Sequence, residues 1–382
     1  MRSPCNRRQF IQSLGAAATS LCLSNRILGS SPPTAPVAVA RCRSYGAEVL
    51  PTLARMFDQL GGLERLVKGR TVAVKLNLTG SPEGRVAGAP VEVTSWVHPQ
   101  VIAASVHLLG KAGARRIRLV ESAAGTAQPL EEFMRRAGWN PDEFVRAAAG
   151  VEFENTNPPG KGGKYCRLKV PGGGRVFSAY DANHSYEDCD VYVSLAKLKE
   201  HEEAGVTLAM KNNFGIPPCT IYGEGAGIDE PSQIPSGSRL MLHTGNRQPS
   251  KSSPPEINPH SPRDQGYRVP RVTVELAAAR PIHLAIIDGV ATMAGGEGPW
   301  VKRVRAIRPG LLVAGTNCVT TDAVATALMG FDPMADRGTP PFESCDSTLR
   351  LAEEFGLGTR DLRRIEVRGI AIAEARFNIR AS

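Results

Sequence analysis

The sequence lacks closely spaced cysteines. Two of its eight cysteines, Cys5 and Cys22, lie in the first 36 residues, and no two of the other six are closer than 23 residues. Without a Cys-x-x-Cys pair, neither an iron–sulfur cluster of the ferredoxin type nor a zinc ribbon is expected. We expect small buried thiols, or one or two disulfides whose connectivity the sequence leaves open. The six are Cys42, Cys166, Cys189, Cys219, Cys318 and Cys345.

Familiar catalytic motifs are also missing. The seven histidines include no His-Glu-x-x-His pair, so any cofactor or metal stays unknown. No Gly-x-Ser-x-Gly nucleophile elbow occurs. The segment 160–164 is followed by Tyr165, where a phosphate-binding loop needs Ser or Thr. These absences exclude the commonest zinc-protease, esterase and nucleotide-hydrolase signatures.

The N-terminus has no long hydrophobic run and no acidic residue. Residues 10–23 are almost uncharged, but a stretch of 14 residues is too short for a permanent membrane anchor. The stretch follows Arg7-Arg8 in a pattern that resembles the twin-arginine export signal of bacteria. We therefore interpret residues 1–36 as an export signal and linker with an open cleavage site. The alternatives are a basic amphipathic helix of the mature fold and lipidation at Cys22.

This interpretation predicts a periplasmic or secreted protein with no stable transmembrane anchor, carried in folded form by the twin-arginine translocation machinery. It also changes the meaning of the net charge. The chain carries 46 Lys and Arg against 37 Asp and Glu, a net charge of +9. Four of the arginines lie in residues 1–36, so the remaining chain carries only +5. Because it has no basic helix either, nucleic acid is not an expected partner.

Strands and helices alternate after the linker. Alternating β-branched segments at 71–78 and 116–120 are interleaved with helically spaced segments at 47–67, 99–112 and 130–137. This order predicts an α/β fold, with a largely parallel or mixed sheet covered by helices. Strands at 190–198 and 283–288 are apolar on both faces, as covered strands must be. Further strands are expected at 37–42, 311–314 and 364–368, and further helices at 272–279, 322–329 and 347–355.

The middle of the chain departs from this order. Glycine-rich turns around 165–170 and 175–177 predict a β-hairpin. Residues 228–270 are rich in proline and polar residues, which indicates a long loop or insertion. We expect residues 37–382 to form a single α/β domain with this insertion, and two lobes are the alternative.

The densest group of polar residues follows the strand at 190–198. Lys197, Lys199 and His201 share one side-chain parity and therefore one face. Like charges so close together repel unless an anion lies between them, and ligands of open α/β sheets bind at the carboxyl ends of strands. The alternative is that the strand emerges into solvent.

Two further groups repeat this theme. Lys211, Asn212 and Asn213 interrupt an apolar stretch and need hydrogen-bond partners or a ligand. The alternative for Asn213 is the cap of a helix that ends at Gly215. Lys75 and Asn77 end the strand at 71–78 on one parity.

Three single residues complete the candidate set. His98 precedes Pro99, so it either caps a helix or binds a ligand or relays a proton. Asp288 ends an apolar strand, where it serves as a general base, a metal ligand or part of an Asp-Gly turn. Asp322 begins the helix predicted at 322–329, as its cap or as a ligand-binding residue.

Several of these motifs together resemble the domain-of-unknown-function family 362. The resemblance covers roughly residues 70–335, and some members carry a ferredoxin-like segment whose cysteines are missing here. It implies a domain rather than a reaction, and no catalytic residues come with it. Its motifs are Lys197-Leu-Lys-x-His201, the stretch from Gly205 to Pro217 with Met-Lys-Asn-Asn-Phe-Gly, Ile287-Asp-Gly289, the stretch from Gly315 to Pro333, Val74-Lys-x-Asn77, His98-Pro99 and Val120-Glu-Ser122.

The leading hypothesis is an exported α/β enzyme acting on an anionic small molecule or cofactor. Lysines would bind its charge, amides would orient it, and histidine or aspartate would supply acid–base chemistry or a metal contact. The alternatives are a non-catalytic periplasmic binding protein and an accessory factor in cofactor or metal handling. The lysines are Lys75, Lys197, Lys199 and Lys211; the amides are Asn77, Asn212 and Asn213; the catalytic candidates are His98, His201 and Asp288; Asp322 is a further ligand-binding candidate.

Overall fold

Eight strands form one mixed sheet in a computed structural model that describes residues 31–381. The strand order is β16-β1-β15-β12-β9-β2-β5-β6, and β12, β9, β2, β5 and β6 run parallel to one another. Strand β15 is antiparallel to both of its neighbours, which makes the sheet mixed. The strands are β1 Val37–Arg41, β2 Thr71–Lys75, β5 Arg116–Glu121, β6 Val151–Asn155, β9 Val191–Lys197, β12 Leu284–Gly289, β15 Leu311–Gly315 and β16 Val367–Gly369.

Four two-stranded ladders and twelve helices complete the described residues. The ladder strands are β3 Arg85–Val86, β4 Ala89–Pro90, β7 Cys166–Lys169, β8 Ala179–Ala182, β10 Glu200–His201, β11 Gly205–Val206, β13 Thr292–Ala294 and β14 Arg305–Ile307. The helices are α1 Val49–Gln59, α2 Glu64–Val67, α3 Pro99–Lys111, α4 Leu130–Arg136, α5 Asp142–Ala147, α6 Leu208–Asn212, α7 Cys219–Tyr222, α8 Leu240–His243, α9 Gln265–Ala279, α10 Cys318–Leu328, α11 Thr348–Glu354 and α12 Ile372–Ala375. The predicted α/β class is confirmed.

Apolar side chains bury both faces of the sheet, in two separate cores. Along β2, Val72 and Val74 pack into the core that α1 and α3 cover, and Ala73 packs into the core that α9 and α10 cover. This is why the strands are apolar on both parities. Residues 33–382 form one compact unit. Within residues 31–381, no helix is long and apolar enough to cross a membrane. Residues 1–30 of the export signal and linker predicted at 1–36 lie outside the described residues.

Four of the twelve helices begin after a residue whose side chain caps them. The His98 ring accepts the Gln100 N–H at 3.1 Å, with Pro99 at the first position of α3, so the capping role predicted for His98 is confirmed. The cap predicted at Asp322 is wrong. Helix α10 begins four residues earlier, because Asn317 accepts the N–H groups of Val319 and Thr320.

The predicted loop at 228–270 contains more regular structure than expected. Helix α8 lies within it, and α9 begins at Gln265 with Asp264 as its cap. Pro270 lies inside α9 and cannot donate to the Gly266 carbonyl. The Asp346 N–H donates to that carbonyl instead, at 2.8 Å. A proline that marks a loop in the sequence is therefore accommodated in a helix.

The predicted hairpin is confirmed, but its second strand is β8 at Ala179–Ala182 and not residues 175–177. Strand β7 pairs with β8 rather than with residues 175–177. The N–H groups of Arg175, Val176 and Phe177 donate to the buried Glu275 carboxylate, so they are not free for a ladder. All six cysteines of the described residues are free thiols, and only Cys189 is not fully buried. Helix α5 and strand β6 were not predicted.

Candidate functional site

Charged side chains end four adjacent strands at the carboxyl edge of the sheet. Lys75, Glu121 and Lys197 are the last residues of β2, β5 and β9, and Asp288 lies opposite Lys197 in β12. Lys75 has the parity of Ala73 and faces the α9 and α10 layer, whereas Lys197 has the parity of Val193 and faces the α1 and α3 layer. The predicted residues therefore lie along one edge of the sheet, but some face one side of the sheet and some face the other.

Lys197 forms a fully buried ion pair with Asp288 on the α1 and α3 side. The Nζ–Oδ2 distance is 2.9 Å, and the same ammonium lies 3.1 Å from the Tyr45 hydroxyl and 3.1 Å from the Glu92 carbonyl. Asp288 also accepts the Tyr45 O–H and the His98 N–H. Burial lowers the pKa of Lys197, and the Asp288 charge opposes that change. Both charges are satisfied within the protein.

His98 stacks on Tyr45 beside the Lys197–Asp288 pair. We call these four residues the Lys197 cluster. The two rings are parallel, with centroids 3.6 Å apart. Burial, aided by the Lys197 charge, lowers the pKa of His98 to about 4. The imidazole is therefore neutral at pH 7. This neutrality allows it to accept a hydrogen bond as a helix cap while lying next to a lysine.

Lys199 is buried in the loop that follows β9. Its ammonium donates to the carbonyls of Ser95 and Glu297 at 2.9 and 2.7 Å. Burial lowers its pKa to about 7. Lys199 thus ties two loops together, and its donors are directed at the backbone.

Lys75 is paired on the opposite face of the sheet. Its Nζ lies 2.7 Å from the Glu121 carboxylate and 3.3 Å from the Asn212 amide oxygen. The Asn212 amide nitrogen donates back to the Ser194 hydroxyl, so Asn212 connects α6 to two strands. Burial lowers the pKa of Lys75 against the opposing Glu121 charge.

The other two predicted amides each retain one buried atom without a partner in the described part of the chain. Asn77 donates to Thr79, but its Oδ1 has no donor. Asn213 accepts the Tyr192 O–H at 2.8 Å, but its Nδ2 has no acceptor. Buried polar atoms of this kind are uncommon and mark positions where a ligand or water can bind.

Lys211 differs from the other three predicted lysines. Its ammonium makes no ion pair or hydrogen bond with any residue of 31–381, and it sits 3.9 Å from the centre of the Phe214 ring. Burial lowers its pKa to about 8; Glu203 and Glu297 raise it, and Arg239 and Lys75 lower it further. Lys211 is therefore a partly buried amine whose pKa lies closer to physiological pH than that of an exposed lysine.

Acid–base groups lie near enough to Lys211 to affect its charge. His201 accepts the Glu203 N–H on Nδ1 at 3.2 Å, and this nitrogen lies 3.9 Å from Glu297. His243 pairs with Glu203 at 3.2 Å. Burial and the Lys211 charge hold the pKa of His201 well below its ordinary value. We call Lys211, His201, Glu203, His243 and Glu297 the Lys211 pocket.

Asp322 positions the helix that carries Lys211. Its two carboxylate oxygens accept the N–H groups of Ala209 and Met210, at 2.8 and 2.9 Å. Burial raises the pKa of Asp322 to about 7. Just before these amides, Leu208 has a φ of +45°, a strained value for a side chain with a Cβ. Asp322 holds this strained start of α6 in place.

Sequence reasoning missed several members of both groups. Glu203 follows His201 by two residues, and Glu297 lies in the glycine-rich segment 295–298, a signal for a close approach of backbone. Glu121, the partner of Lys75, lies in neither group; it falls within a motif of the family resemblance but has no predicted role. Tyr45 and His243 carry no signal, because their contacts come from distant parts of the chain. Among the described residues, no three His, Cys, Asp or Glu side chains form a metal-binding group.

Similar proteins do not assign a reaction to this site. The chain is 27% identical over 300 residues to the thylakoid-associated protein sll1697 of Synechocystis sp., covering 78% of this chain and 75% of the relative. A solved structure from Thermotoga maritima aligns with a TM-score of 0.34 and 15% identity over 70% of this chain. The lactate racemase apoprotein of Thermoanaerobacterium thermosaccharolyticum aligns with a TM-score of 0.32 and 12% identity over 74% of this chain.

The chain spans 55% of the length of each of these two solved structures. A family model also matches the chain. It covers residues 72–327, which hold every one of the predicted site residues and the whole Lys211 pocket. The chain belongs to the DUF362 family, a domain of unknown function.

Proposed function

We propose that this protein is an enzyme that binds a small anionic molecule in the Lys211 pocket and transfers a proton there. The observation that carries the proposal is the Lys211 ammonium, which has no acceptor within residues 31–381. The ammonium groups of Lys75, Lys197 and Lys199 all have acceptors. Because a partly buried charge without a partner is costly, a carboxylate or phosphate from outside the chain is a suitable counter-ion.

The nearby carboxylates are already engaged, which supports this choice of ligand. Glu203 pairs with His243, and Glu297 accepts the Glu202 N–H and the Trp300 indole N–H. Arg239 adds a second positive charge next to the pocket, held by the Pro217 and Gly215 carbonyls. Because the glutamates already have protein partners, Lys211 is left to pair with the charge of an anionic ligand.

We assign the proton transfer to His201. Since its Nδ1 accepts the Glu203 N–H, the proton of the neutral ring resides on Nε2. That Nε2–H has no acceptor in the described part of the chain and is free to donate to a bound ligand. The His243–Glu203 pair supplies a second acid–base group at the partly exposed side of the pocket.

Calorimetric titration tests the binding step. The full chain is titrated at pH 7 with a panel of small carboxylates and phosphate esters, alongside Lys211→Ala and Lys68→Ala. Loss of a charge-assisted contact should weaken binding about tenfold or more in Lys211→Ala. Lys68→Ala is the control, because Lys68 is exposed and pairs with Glu64. Equal affinity of the wild type and Lys211→Ala would contradict the proposal.

His201→Gln separates an enzyme from a binding protein. Glutamine keeps a polar side chain but has no titratable nitrogen. Once a ligand is found, its conversion by the wild type and the variant is followed by mass spectrometry. An enzyme binds the ligand in both but converts it much more slowly in His201→Gln. A ligand that remains unchanged in the wild type would indicate a non-catalytic binding protein.

We further propose that the protein is exported by the twin-arginine route. Replacement of Arg7 and Arg8 by lysine keeps the charge but removes the arginine pair. The double variant should accumulate in the cytoplasmic fraction, whereas the wild type appears in the periplasm or medium. Identical fractionation of the two proteins would rule out this route.

A further inference from the structure

Lys211 is unlike every other lysine whose side chain is described. The chain has only eleven lysines among its 46 basic residues. Lys75, Lys197 and Lys199 are buried and paired. Lys68 and Lys251 are exposed and paired with carboxylates, and the remaining lysines of known burial are exposed. Only Lys211 is partly buried without an oxygen acceptor in residues 31–381.

From this geometry we propose that the Lys211 amine is a nucleophile that forms an imine with the aldehyde or ketone group of a small anionic molecule. The inference rests on the proposed function, since it names the class of ligand for the same pocket. It adds a covalent step that binding of an anion does not require.

The surroundings of Lys211 fit such a step. An amine attacks a carbonyl only in its neutral form, and a protein acceptor on the nitrogen would hold it as an ammonium. The Lys211 nitrogen rests on the face of the Phe214 ring instead, so its approach to a ligand is not blocked by an ion pair. Phe214 is itself fixed by an edge contact with the His243 ring, at 4.8 Å between centroids. The ring contact thus positions the amine, and its nitrogen remains available to react.

The step balances without any oxidant or reductant. The Lys211 nitrogen donates its electron pair to the carbonyl carbon, and the π electrons of the C=O bond move to oxygen. A proton passes from nitrogen to that oxygen, which gives a carbinolamine. Transfer of the His201 Nε2 proton to the hydroxyl then releases water and leaves a protonated imine, and the proton on the imine nitrogen returns to His201 Nε2 to give the imine. The Glu203–His243 pair relays the proton that passes from nitrogen to oxygen in the first step.

The protonation of Lys211 depends on groups from several elements. Burial lowers its pKa to about 8. Glu203 and Glu297 act against the change, and Arg239 and Lys75 act with it. About half of the Lys211 amines are therefore neutral at pH 8, whereas an exposed lysine with a pKa near 10.4 is almost fully protonated there.

Reductive trapping with glyoxylate tests the proposal. Glyoxylate carries an aldehyde and a carboxylate, and cyanoborohydride reduces any imine to a stable secondary amine. The full wild-type chain is treated at pH 8, digested, and analysed by peptide mass spectrometry at each lysine. Lys211 should be labelled about tenfold or more faster than Lys68 and Lys251 in the same sample. Its labelling rate should rise with a midpoint near pH 8.

The comparison is between lysines of the same wild-type protein, so it needs no variant. Acetaldehyde serves as an uncharged control and should show weaker selectivity for Lys211. Lys211→Arg keeps the positive charge but cannot form an imine, so it should bind small carboxylates and lose the label at this position. Equal labelling of Lys211, Lys68 and Lys251 would overturn the imine.

The two proposals fail in different ways. If carboxylates bind and Lys211→Ala abolishes their binding, but glyoxylate does not label Lys211 selectively, the anion site stands and the imine is wrong. If Lys211 is labelled equally by glyoxylate and acetaldehyde and no anion binds, the amine is reactive and the anion site is wrong.

Discussion

Three of the four lysines near the carboxyl edge have oxygen acceptors, and the type of contact that each lysine makes decides what its loss would do. Lys197 and Lys75 face carboxylates, Lys199 faces carbonyls, and Lys211 faces an aromatic ring. Removal of one member of a buried ion pair leaves an isolated charge, which is far more costly than removal of both. The first three lysines therefore stabilise the edge, whereas Lys211 contributes little to stability.

Lys197→Met should lower the free energy of unfolding by about 3–5 kcal/mol, because it leaves the Asp288 carboxylate buried with one fewer donor. Urea titration followed by circular dichroism measures the change. Lys68→Met, at an exposed pair, is the matched control and should leave the urea midpoint unchanged. A small effect of Lys197→Met would show that the pair is not buried as described.

His98 should make stability depend on pH below neutrality. Its folded pKa of about 4 lies below the ordinary value of 6.5, so the unfolded state binds more protons between these values. Its contribution is complete above pH 6.5, falls as the pH decreases, and is lost below pH 4, a total of about 3 kcal/mol. His98→Asn keeps a side chain that can cap α3 but cannot be protonated. Urea midpoints from pH 7 to 4 should fall less steeply in this variant, and parallel curves would contradict the assignment.

Short elements around the pocket are held by side chains from other elements. Helix α6 has only five residues and starts from the strained Leu208, so it has little stability of its own. Two carboxylate hydrogen bonds from Asp322 in α10, and the contacts of Asn212, fix it against the sheet. The position of Lys211 therefore depends on residues that do not belong to its pocket.

Asp322→Ala should test whether the position of Lys211 depends on Asp322. The Ala209 and Met210 N–H groups lose their acceptors, which costs about 2–4 kcal/mol for the two together. Hydrogen exchange at these two amides should become faster, and selective glyoxylate labelling of Lys211 should decrease. A purely structural effect on the whole fold would instead accelerate exchange equally in the central strand β9, which serves as the internal control.

At the scale of the whole molecule, one sheet with a core on each face joins distant parts of the chain. Strand β1 near the beginning pairs with both β15 and β16 near the end. The two cores share every central strand, so they are expected to unfold together rather than as separate lobes.

Removal of residues 1–32 should leave this unit unchanged, because residues 33–382 are compact without them. Thermal unfolding of the shortened chain and the full chain should give one transition at the same temperature. Two transitions, or a large decrease in the unfolding temperature, would contradict a single unit of these bounds.

The sequence determined the α/β class, most of the strands and the positions where they end in charged residues. These features are local: strand parity, helical spacing and the polar residue that follows an apolar run are visible in short windows. The cap by His98 belongs to the same class, since Pro99 is adjacent to it. The cap predicted at Asp322 is wrong, because Asn317 caps this helix and its start lies earlier in the chain.

Only the tertiary structure decided which of these charged residues meet. Alternation along a strand shows which neighbours share a face with Lys75 or with Lys197. It does not show which helical layer covers that face, because strand pairing decides this. In the folded chain the two lysines face opposite layers. The partners of the lysines lie far away in sequence: Asp288 is 91 residues from Lys197, and Asn212 is 137 residues from Lys75. Three of the four lysines have oxygen acceptors that such contacts supply, and this is what distinguishes Lys211. A lysine is chemically available only if the folded chain leaves it without an acceptor, and no local pattern carries that information.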